Sequence, residues 1–308
     1  MNAFDAHIER ARALRALKRY DDALNASGLA VATAPERPEG YVSLAWSLYV
    51  MDRHRDALNA VNAGLRLSPE WFGLHLIQSH VQLALAQLSD AISSAEMALR
   101  IEPQSPDATL ALADAHRWAG NYTLALEQCE RAAALAPDSA GAFERMGLCL
   151  QKLRRYPEAE AALRQALLLN PQSATAIANL GTVLEMEHQD DAAVSLYRDA
   201  LAVDPTLRVT KRNTLHLLRR RFAAMARERR AAIFQMSLLL SIYLMMACGV
   251  KSTSAAAAFV VALLPLALLC GRLLQKLKLA LTVRVPPEER RLYALWRQLE
   301  VDERAGKF

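Results

Sequence analysis

Residues 119–137 read AGNYTLALEQCERAAALAP, and residues 153–171, thirty-four positions later, read LRRYPEAEAALRQALLLNP. The same spacing continues in both directions, where it places a proline at Pro35, Pro69, Pro103, Pro137, Pro171 and Pro205. Alanine recurs twelve residues before each proline, at Ala23, Ala57, Ala91, Ala125, Ala159 and Ala193. A period of 34 residues is that of a repeated helix–turn–helix unit, so the first two thirds of the chain is predicted to be a stack of paired helices.

Small residues at fixed register explain how such helices pack. A second series holds Ala30, Ala98, Ala132, Ala166 and Ala200, with Gly64 in the remaining repeat. Small side chains allow two helices to approach until their ridges and grooves interlock. Proline ends the second helix of each pair, because it lacks an amide hydrogen and clashes with the preceding turn.

The quoted stretches resemble the tetratricopeptide repeat family, over about residues 4–205. The resemblance implies an all-α fold in which six repeats form a right-handed superhelix, with a concave groove lined by the first helix of each pair. Residues 1–205 are therefore expected to form the repeat domain, and the function implied is protein–protein interaction.

The groove positions that the resemblance implies are rich in apolar and aromatic residues: Val42, Trp46, Tyr49, Leu76, Ile77, His80, Leu110, Asp114, Arg117 and Trp118. One subgroup of the family holds chaperone carboxylates with Lys, Asn and Arg, but the matching positions here are Ile8, Arg12, Ser43, Gly73 and Ile77. A chaperone carboxylate clamp is therefore not expected. An apolar, aromatic groove favours an apolar peptide or an amphipathic helix of a partner protein. We expect His80, Asp114 and Arg117 to give polar selectivity at the rim of this groove. For Trp46 and Trp118, the alternative to contacting a ligand is that they only pack between repeats.

Two uncharged stretches follow the repeats, at 231–250 and 254–271. A helix needs about 20 apolar residues to cross a bilayer, and only a short turn separates the two. The expectation is a transmembrane helical hairpin over 231–271, with a re-entrant hairpin or buried helices of a soluble domain as alternatives. Gln235, Ser237 and Ser241 can hydrogen-bond across the hairpin or to another copy, so an oligomer through the hairpin is a further expectation.

Charge is divided unequally along the chain. Residues 1–205 hold 18 Lys and Arg against 26 Asp and Glu, a net of −8, whereas residues 206–308 hold 19 against 6, a net of +13. Basic flanks on both sides of the hairpin place both termini in the cytoplasm, and a composition rich in Ala, Leu and Arg favours the bacterial inner membrane. The basic residues expected to attract anionic headgroups are Arg219, Arg220, Arg221, Arg227, Arg229 and Arg230. They cluster beside the predicted spans rather than on the folded repeats, so nucleic acid is not an expected partner.

Two further segments complete the predicted organisation. Residues 206–230 are expected to form a basic helix that caps the last repeat, and residues 272–308 a basic amphipathic cytoplasmic tail. The tail helix could lie in the membrane interface, dock on the repeats or pack on its own domain.

Catalytic motifs are missing from the sequence, which contains neither a phosphate-binding glycine loop nor a His-Glu-x-x-His or paired-cysteine metal motif. No catalytic residue, cofactor or metal is predicted, and the chain is not expected to be an enzyme. The expected function is a membrane-anchored interaction scaffold or adaptor. The alternative is a structural or regulatory subunit of a membrane assembly that works mainly through its hairpin.

Overall fold

The computed structural model describes residues 2–247 and 287–307, and these residues are helical apart from short turns. Six helix pairs follow one another, and each pair has nearly the same length. Their bounds are α1 Ala3–Ala16, α2 Tyr20–Thr33, α3 Pro38–Tyr49, α4 His54–Leu67, α5 Phe72–Ala84, α6 Leu88–Ile101, α7 Pro106–Trp118, α8 Tyr122–Leu135, α9 Ala140–Lys152, α10 Tyr156–Leu169, α11 Ala174–Met186 and α12 Asp190–Val203. Two more helices follow, α13 Arg208–Ala247 and α14 Pro287–Arg304.

The small residues that recur every 34 positions in the sequence are the residues at which the helices pack most closely. Every alanine of the first series, from Ala23 to Ala193, is fully buried. Gly64 stands where the second series otherwise has alanine, and a Cβ there would come within 2.8 Å of a methyl carbon of Leu74. In each of the six pairs, the second helix ends two residues before the proline that recurs every 34 residues. The small residues therefore lie at the closest helix contacts, as the pattern predicts.

The turn inside each pair also repeats every 34 residues. One residue per turn has a positive φ, and these are Lys18, Asp52, Ala86, Gly120, Arg154 and His188. A left-handed conformation costs a residue with a Cβ roughly 1–2 kcal/mol. The packing of the alanine positions on both sides must offset this cost, because only one of the six turns has glycine.

Consecutive first helices touch one another as well as their own partners. Contacts join α1 to α3, α3 to α5, α5 to α7, α7 to α9 and α9 to α11. This arrangement builds a continuous surface from first helices alone, as the predicted groove requires. The prediction of an all-helical repeat solenoid is therefore confirmed for the repeats.

The chain forms two compact units, Met1–Ala193 and Val194–Phe308. The division falls inside α12 rather than at residue 205, where the sequence placed it. Within the second unit, Tyr197 of α12 is fully buried and accepts a hydrogen bond from Asn213 of α13 at 3.3 Å. Leu215 and Leu218, on the same helix as Asn213, are also fully buried. Most of α12 therefore packs as part of the second unit.

The boundary predicted at residue 230 is not a break in the helix. α13 continues for 40 residues, from Arg208 to Ala247, so the juxtamembrane segment and most of the first predicted span share one helix. In the stretches of chain that the structure describes, no helix combines the length and apolar character needed to cross a bilayer. The transmembrane hairpin is thus not supported by the described residues, and the second predicted span, 254–271, lies outside them.

The tail helix packs within its own unit, which was one of the three alternatives. Phe222 of α13 meets Tyr293 and Trp296 of α14, with ring centroids 5.7 and 5.3 Å apart. One turn away on α13, Arg219 forms ion pairs with Glu303 at 2.7 Å and with Glu300 at 3.5 Å. Aromatic packing and charge pairing together hold α14 against α13.

Candidate peptide-binding cleft

A cleft of about 250 Å³ lies on the surface that the first helices of repeats two to five form. Its lining comes from α3, α5, α7 and α9 and consists of Trp46, Leu76, His80, Asp107, Leu110, Ala111, Asp114 and Arg145. One wall is apolar and aromatic, and the other carries charge. Small-molecule sites usually occupy about 300–1,000 Å³, so the size suits one or two side chains of a larger ligand better than a whole cofactor.

The aromatic wall is a cluster of stacked rings. Trp46 meets Tyr49 edge to face, with ring centroids 5.6 Å apart, and lies 5.4 Å from the imidazole of His80. Tyr49 in turn lies 6.3 Å from His80 and 5.5 Å from His54. Such contacts add about 0.5–1.5 kcal/mol per pair beyond the burial itself. The cluster therefore holds the Trp46 indole in place before any ligand arrives.

His80 is a neutral hydrogen-bonding group in this wall. Burial lowers the pKa of His80, and the nearby carboxylate of Asp114 opposes this only in part. In the part of the chain that the structure describes, neither ring nitrogen of His80 has a hydrogen-bond partner. A neutral imidazole offers one donor and one acceptor, so His80 can bond a backbone amide or carbonyl of a ligand.

The charged wall is organised by Asp114, whose side chain is only 12% exposed. Arg117 donates from Nε and Nη2 to Asp114 Oδ1, at 3.3 and 3.0 Å. Arg145 donates from Nε to Asp114 Oδ2 at 2.8 Å and from Nη1 to the carbonyl oxygen of Gly141 at 3.1 Å. The Nη2 group of Arg145 has no acceptor among the described residues. This arrangement holds Arg145 rigidly and leaves one donor free at the cleft.

The predicted groove residues fall into three groups. Trp46, Leu76, His80, Leu110 and Asp114 line the cleft. Asp114 was expected to give selectivity at the rim, but it is buried and holds two guanidinium groups instead.

The second group borders the cleft and the third lies outside it. Tyr49 borders the cleft by packing against Trp46, and Arg117 borders it by pairing with Asp114. Val42 belongs to the third group, since it packs beside Gly73 and does not line the cleft. Ile77 is fully buried in the core between α3, α4 and α5. Trp118 is 63% exposed, with the Arg117 guanidinium 5.3 Å from its ring, and it does not line the cleft.

Three lining residues were not predicted: Asp107, Ala111 and Arg145. Arg145 matters most, since it is the partner of Asp114 across two helices. It lies one repeat beyond the residues chosen from the sequence, 34 positions after Ala111. Extending the groove register by one repeat would have included it.

The basic residues after the repeats have uses within the protein. Arg219 pairs with two glutamates of α14, and Arg220 and Arg221 also have interaction partners. Arg227 is exposed, and the side chains of Arg229 and Arg230 lie outside the described residues.

Chemistry other than binding has no visible support in the described residues. None of their His, Cys, Asp and Glu side chains form a group of three or more that could hold a metal ion. Cys129 and Cys149 are buried free thiols, and the neighbouring Cys149 thiol together with burial raises the pKa of Cys129.

Comparisons with known proteins agree with this fold. A tetratricopeptide repeat model matches residues 138–206, and a model described as anaphase-promoting complex, cyclosome, subunit 3 matches residues 84–166. No curated protein matches the sequence.

Solved structures are similar in fold at low sequence identity. The Cut9–Hcn1 heterotetramer of APC/C aligns with a TM-score of 0.63 at 16% identity, covering 70% of this chain and 42% of that one. A tetratricopeptide repeat protein from Parabacteroides merdae aligns with a TM-score of 0.59 at 15% identity, covering 68% and 82%. Pseudomonas aeruginosa pilF aligns with a TM-score of 0.55 at 15% identity, covering 66% and 92%. The structural matches support the helical repeat fold. Together with the two family-model matches, they support a tetratricopeptide repeat protein, a class that generally mediates protein–protein interaction.

Proposed function

We propose that this protein is an interaction scaffold whose cleft holds a peptide segment of a partner protein, extended or helical, by a large apolar side chain. The observation that carries the proposal is the pairing of a fixed aromatic wall at Trp46 with unfilled polar groups at His80 and Arg145. A peptide provides both kinds of group that this pairing needs. Its side chain can contact Trp46, Leu76 and Leu110, and its backbone can bond to His80 and Arg145.

The size and geometry of the cleft favour a peptide over other ligands. The volume of about 250 Å³ accepts one large side chain and excludes a bulky cofactor. The cleft crosses four first helices, so a ligand lying along it meets several repeats in succession. Rigid aromatic anchors in such a position typically dominate binding energy.

The test is peptide selection against the purified full chain in a mild detergent. A random 12-residue phage library is selected on the wild type, and bound peptides are measured by fluorescence polarisation. We expect enrichment of peptides with a large apolar residue. Trp46→Ala should weaken their binding at least about 30-fold, the equivalent of the 2 kcal/mol typical of an aromatic anchor.

Trp118→Ala is the matched control, because Trp118 is exposed and lies outside the cleft. We expect its binding to remain within about twofold of the wild type. Selected peptides that bind Trp46→Ala as well as they bind the wild type would place the binding surface elsewhere and overturn the proposal.

We also propose that the second unit attaches the scaffold to a membrane, with both termini in the cytoplasm, and that a bacterial inner membrane is the compartment. The sequence of 231–271 and its basic flanks motivate this attachment. One structural observation supports the topology: α14 packs beside Phe222, so the chain that leaves along α13 comes back to the same level. Both ends of an inserted hairpin would then emerge on one side.

Reporter fusions after Pro205 and after Phe308 test the topology. Both fusions should report the cytoplasmic side, and the protein should remain in the membrane fraction after carbonate extraction. A reporter signal from the opposite side at either position, or full release by carbonate, would contradict membrane attachment as proposed while leaving the cleft proposal unaffected.

A further inference from the structure

Arg15 differs from the other half-buried arginines of the first unit. Arg37, Arg117 and Arg145 each pair with at least one carboxylate within 3.3 Å. Arg15 has no carboxylate partner among the described residues, although it is similarly sheltered. Charged groups removed from water are normally paired, so the missing partner of Arg15 calls for an explanation.

The contacts of Arg15 use one end of its guanidinium. Nη1 donates to the carbonyl oxygen of Ser43 at 3.2 Å, to Ser43 Oγ at 3.2 Å and to Ser47 Oγ at 3.0 Å. Ser27 of α2 fixes both serines through its own hydroxyl, at 3.2 Å from Ser43 Oγ and 2.8 Å from Ser47 Oγ. Nε and Nη2 have no acceptor in the described part of the chain. The guanidinium is thus held in one orientation with two donor groups unfilled.

The electrostatic surroundings favour an anion at this position. Burial lowers the pKa of Arg15, and the positive charge of Arg12 adds to the effect. An anion beside the guanidinium would relieve both, since it replaces lost water and offsets the second charge. The first two thirds of the chain is acidic, with 26 acidic residues against 18 basic ones. General attraction therefore does not draw acidic ligands to it, and a specific site is needed.

Arg15 lies on the same surface as the cleft. In the 34-residue register it has the position of Tyr49 and Arg117, both of which border the cleft. Its contact Ser47 directly follows Trp46 in α3. Adjacent first helices pack about 8–10 Å apart, so Arg15 lies about one helix spacing from Trp46, or about three residues of an extended peptide.

We propose that Arg15, assisted by Arg12, binds an aspartate or glutamate carboxylate of the peptide whose apolar side chain occupies the cleft at Trp46. The acidic residue is placed about three positions from the apolar one in an extended ligand. A carboxylate can accept from Nε and Nη2 together, which is the bidentate geometry that guanidinium groups favour. The proposal rests on the proposed function. Arg15, which supplies the bidentate contact, lies outside the positions of the chaperone carboxylate clamp. Arg12 occupies one of those positions and pairs with Glu9 at 3.2 Å, so it assists only through its charge.

The experiment uses pairs of synthetic peptides based on the selected sequences, identical except that one acidic residue is replaced by its amide, Glu by Gln or Asp by Asn. Binding to the full chain in detergent is measured for the wild type, Arg15→Gln and Arg10→Gln. Arg10 is the control, because it lies on the same helix, is exposed and has no ion pair. On the wild type and on Arg10→Gln, the amide peptide should bind at least about tenfold more weakly.

On Arg15→Gln the two peptides of a pair should bind within about twofold of each other, because the group that distinguishes them has been removed. Arg15→Lys keeps the charge but not the fork, so it should retain only part of the preference. This second variant decides the question should Arg15→Gln fold poorly. An acid preference that is unchanged in Arg15→Gln or undiminished in Arg15→Lys would overturn the proposal.

The outcomes separate this inference from the proposed function. Loss of peptide binding in Trp46→Ala, together with equal binding of acid and amide peptides to the wild type, would sustain the cleft and reject the Arg15 site. Binding that does not depend on Trp46 would reject the cleft, and the Arg15 site with it.

Discussion

Asp114→Asn should destabilise the solenoid far more than the same change at an exposed aspartate that pairs with an arginine. Asp114 is the shared acceptor for Arg117 and Arg145, and its side chain is 12% exposed. Asparagine has nearly the same shape, so the change removes charge without opening a cavity. Removing one partner of a fully buried pair costs about 3–5 kcal/mol. The two guanidinium groups here are 24% and 33% exposed, so water recovers part of that loss, and we expect about 2–3 kcal/mol.

The measurement is urea unfolding of the full chain in mild detergent, followed by far-UV circular dichroism. Asp22→Asn is the matched control, since Asp22 pairs with Arg19 at 2.6 Å with the same three-residue separation but with 45% of its side chain exposed. Exposed pairs contribute about 0.2–1 kcal/mol. Equal losses of stability in the two variants would show that Asp114 is not the organising charge of the cleft, and the reasoning would fail.

Three smaller predictions concern packing, turns and pH. Gly147→Ala would place a Cβ 2.5 Å from Leu163 Cγ and should lower the free energy of unfolding by about 1–3 kcal/mol. Gly28→Ala meets nothing within 4 Å and should raise it by about 1 kcal/mol, because alanine favours a helix over glycine. Urea midpoints that move in the same direction for both variants would contradict this. Gly120→Ala puts a Cβ on a residue with φ +81° and should lower the free energy of unfolding by roughly 1 kcal/mol, measured as a lower urea midpoint. An unchanged midpoint would mean that the turn relaxes to another conformation. Burial lowers the pKa of His80 from its usual 6.5, so the contribution of the neutral form is complete above that pH and is lost as pH falls below it. His80→Gln should therefore reduce the acid sensitivity of the melting temperature, and an unchanged pH profile would refute the assignment.

The repeat fold could be predicted from the sequence because its determinants are periodic and local. Ala125 and its equivalents recur at one spacing, and each is buried at a close helix contact. A residue that must be small in every repeat is visible without any knowledge of three-dimensional structure. The prolines work in the same way, since each marks the end of the second helix of its own repeat.

The cleft was predicted only in part, because its geometry depends on contacts between repeats. Ile77 shares its register with Ala111 and Arg145, which line the cleft, but Ile77 itself is fully buried in the core between α3, α4 and α5. Arg145 was missed because the predicted groove stopped at the fourth repeat, and its bond to Asp114, 31 positions away on another helix, leaves no periodic signal. Trp118 was included because the resemblance placed its position in the groove, yet it lies at the end of α7 and remains exposed. Periodicity predicts which helix faces the groove, but not which side chain reaches across to the next helix.

Two kinds of position, uniform small residues at the helix contacts and different residues in the cleft, together explain how a periodic fold can hold a ligand in one register. Where the helices touch, the repeats are alike, and Ala23, Ala57 and Ala91 are interchangeable. The cleft instead takes Trp46, His80 and Asp114 from one register of three successive repeats. A uniform groove would let a peptide slide by one repeat at little cost in free energy. Here such a shift would move an apolar side chain from an indole to an imidazole or to a buried carboxylate with its guanidinium partners. The ligand is therefore fixed in position by differences along a single column of the repeat. Substitutions of Trp46 in that column should change specificity while leaving the solenoid intact, whereas Asp114 also stabilises the solenoid through Arg117 and Arg145.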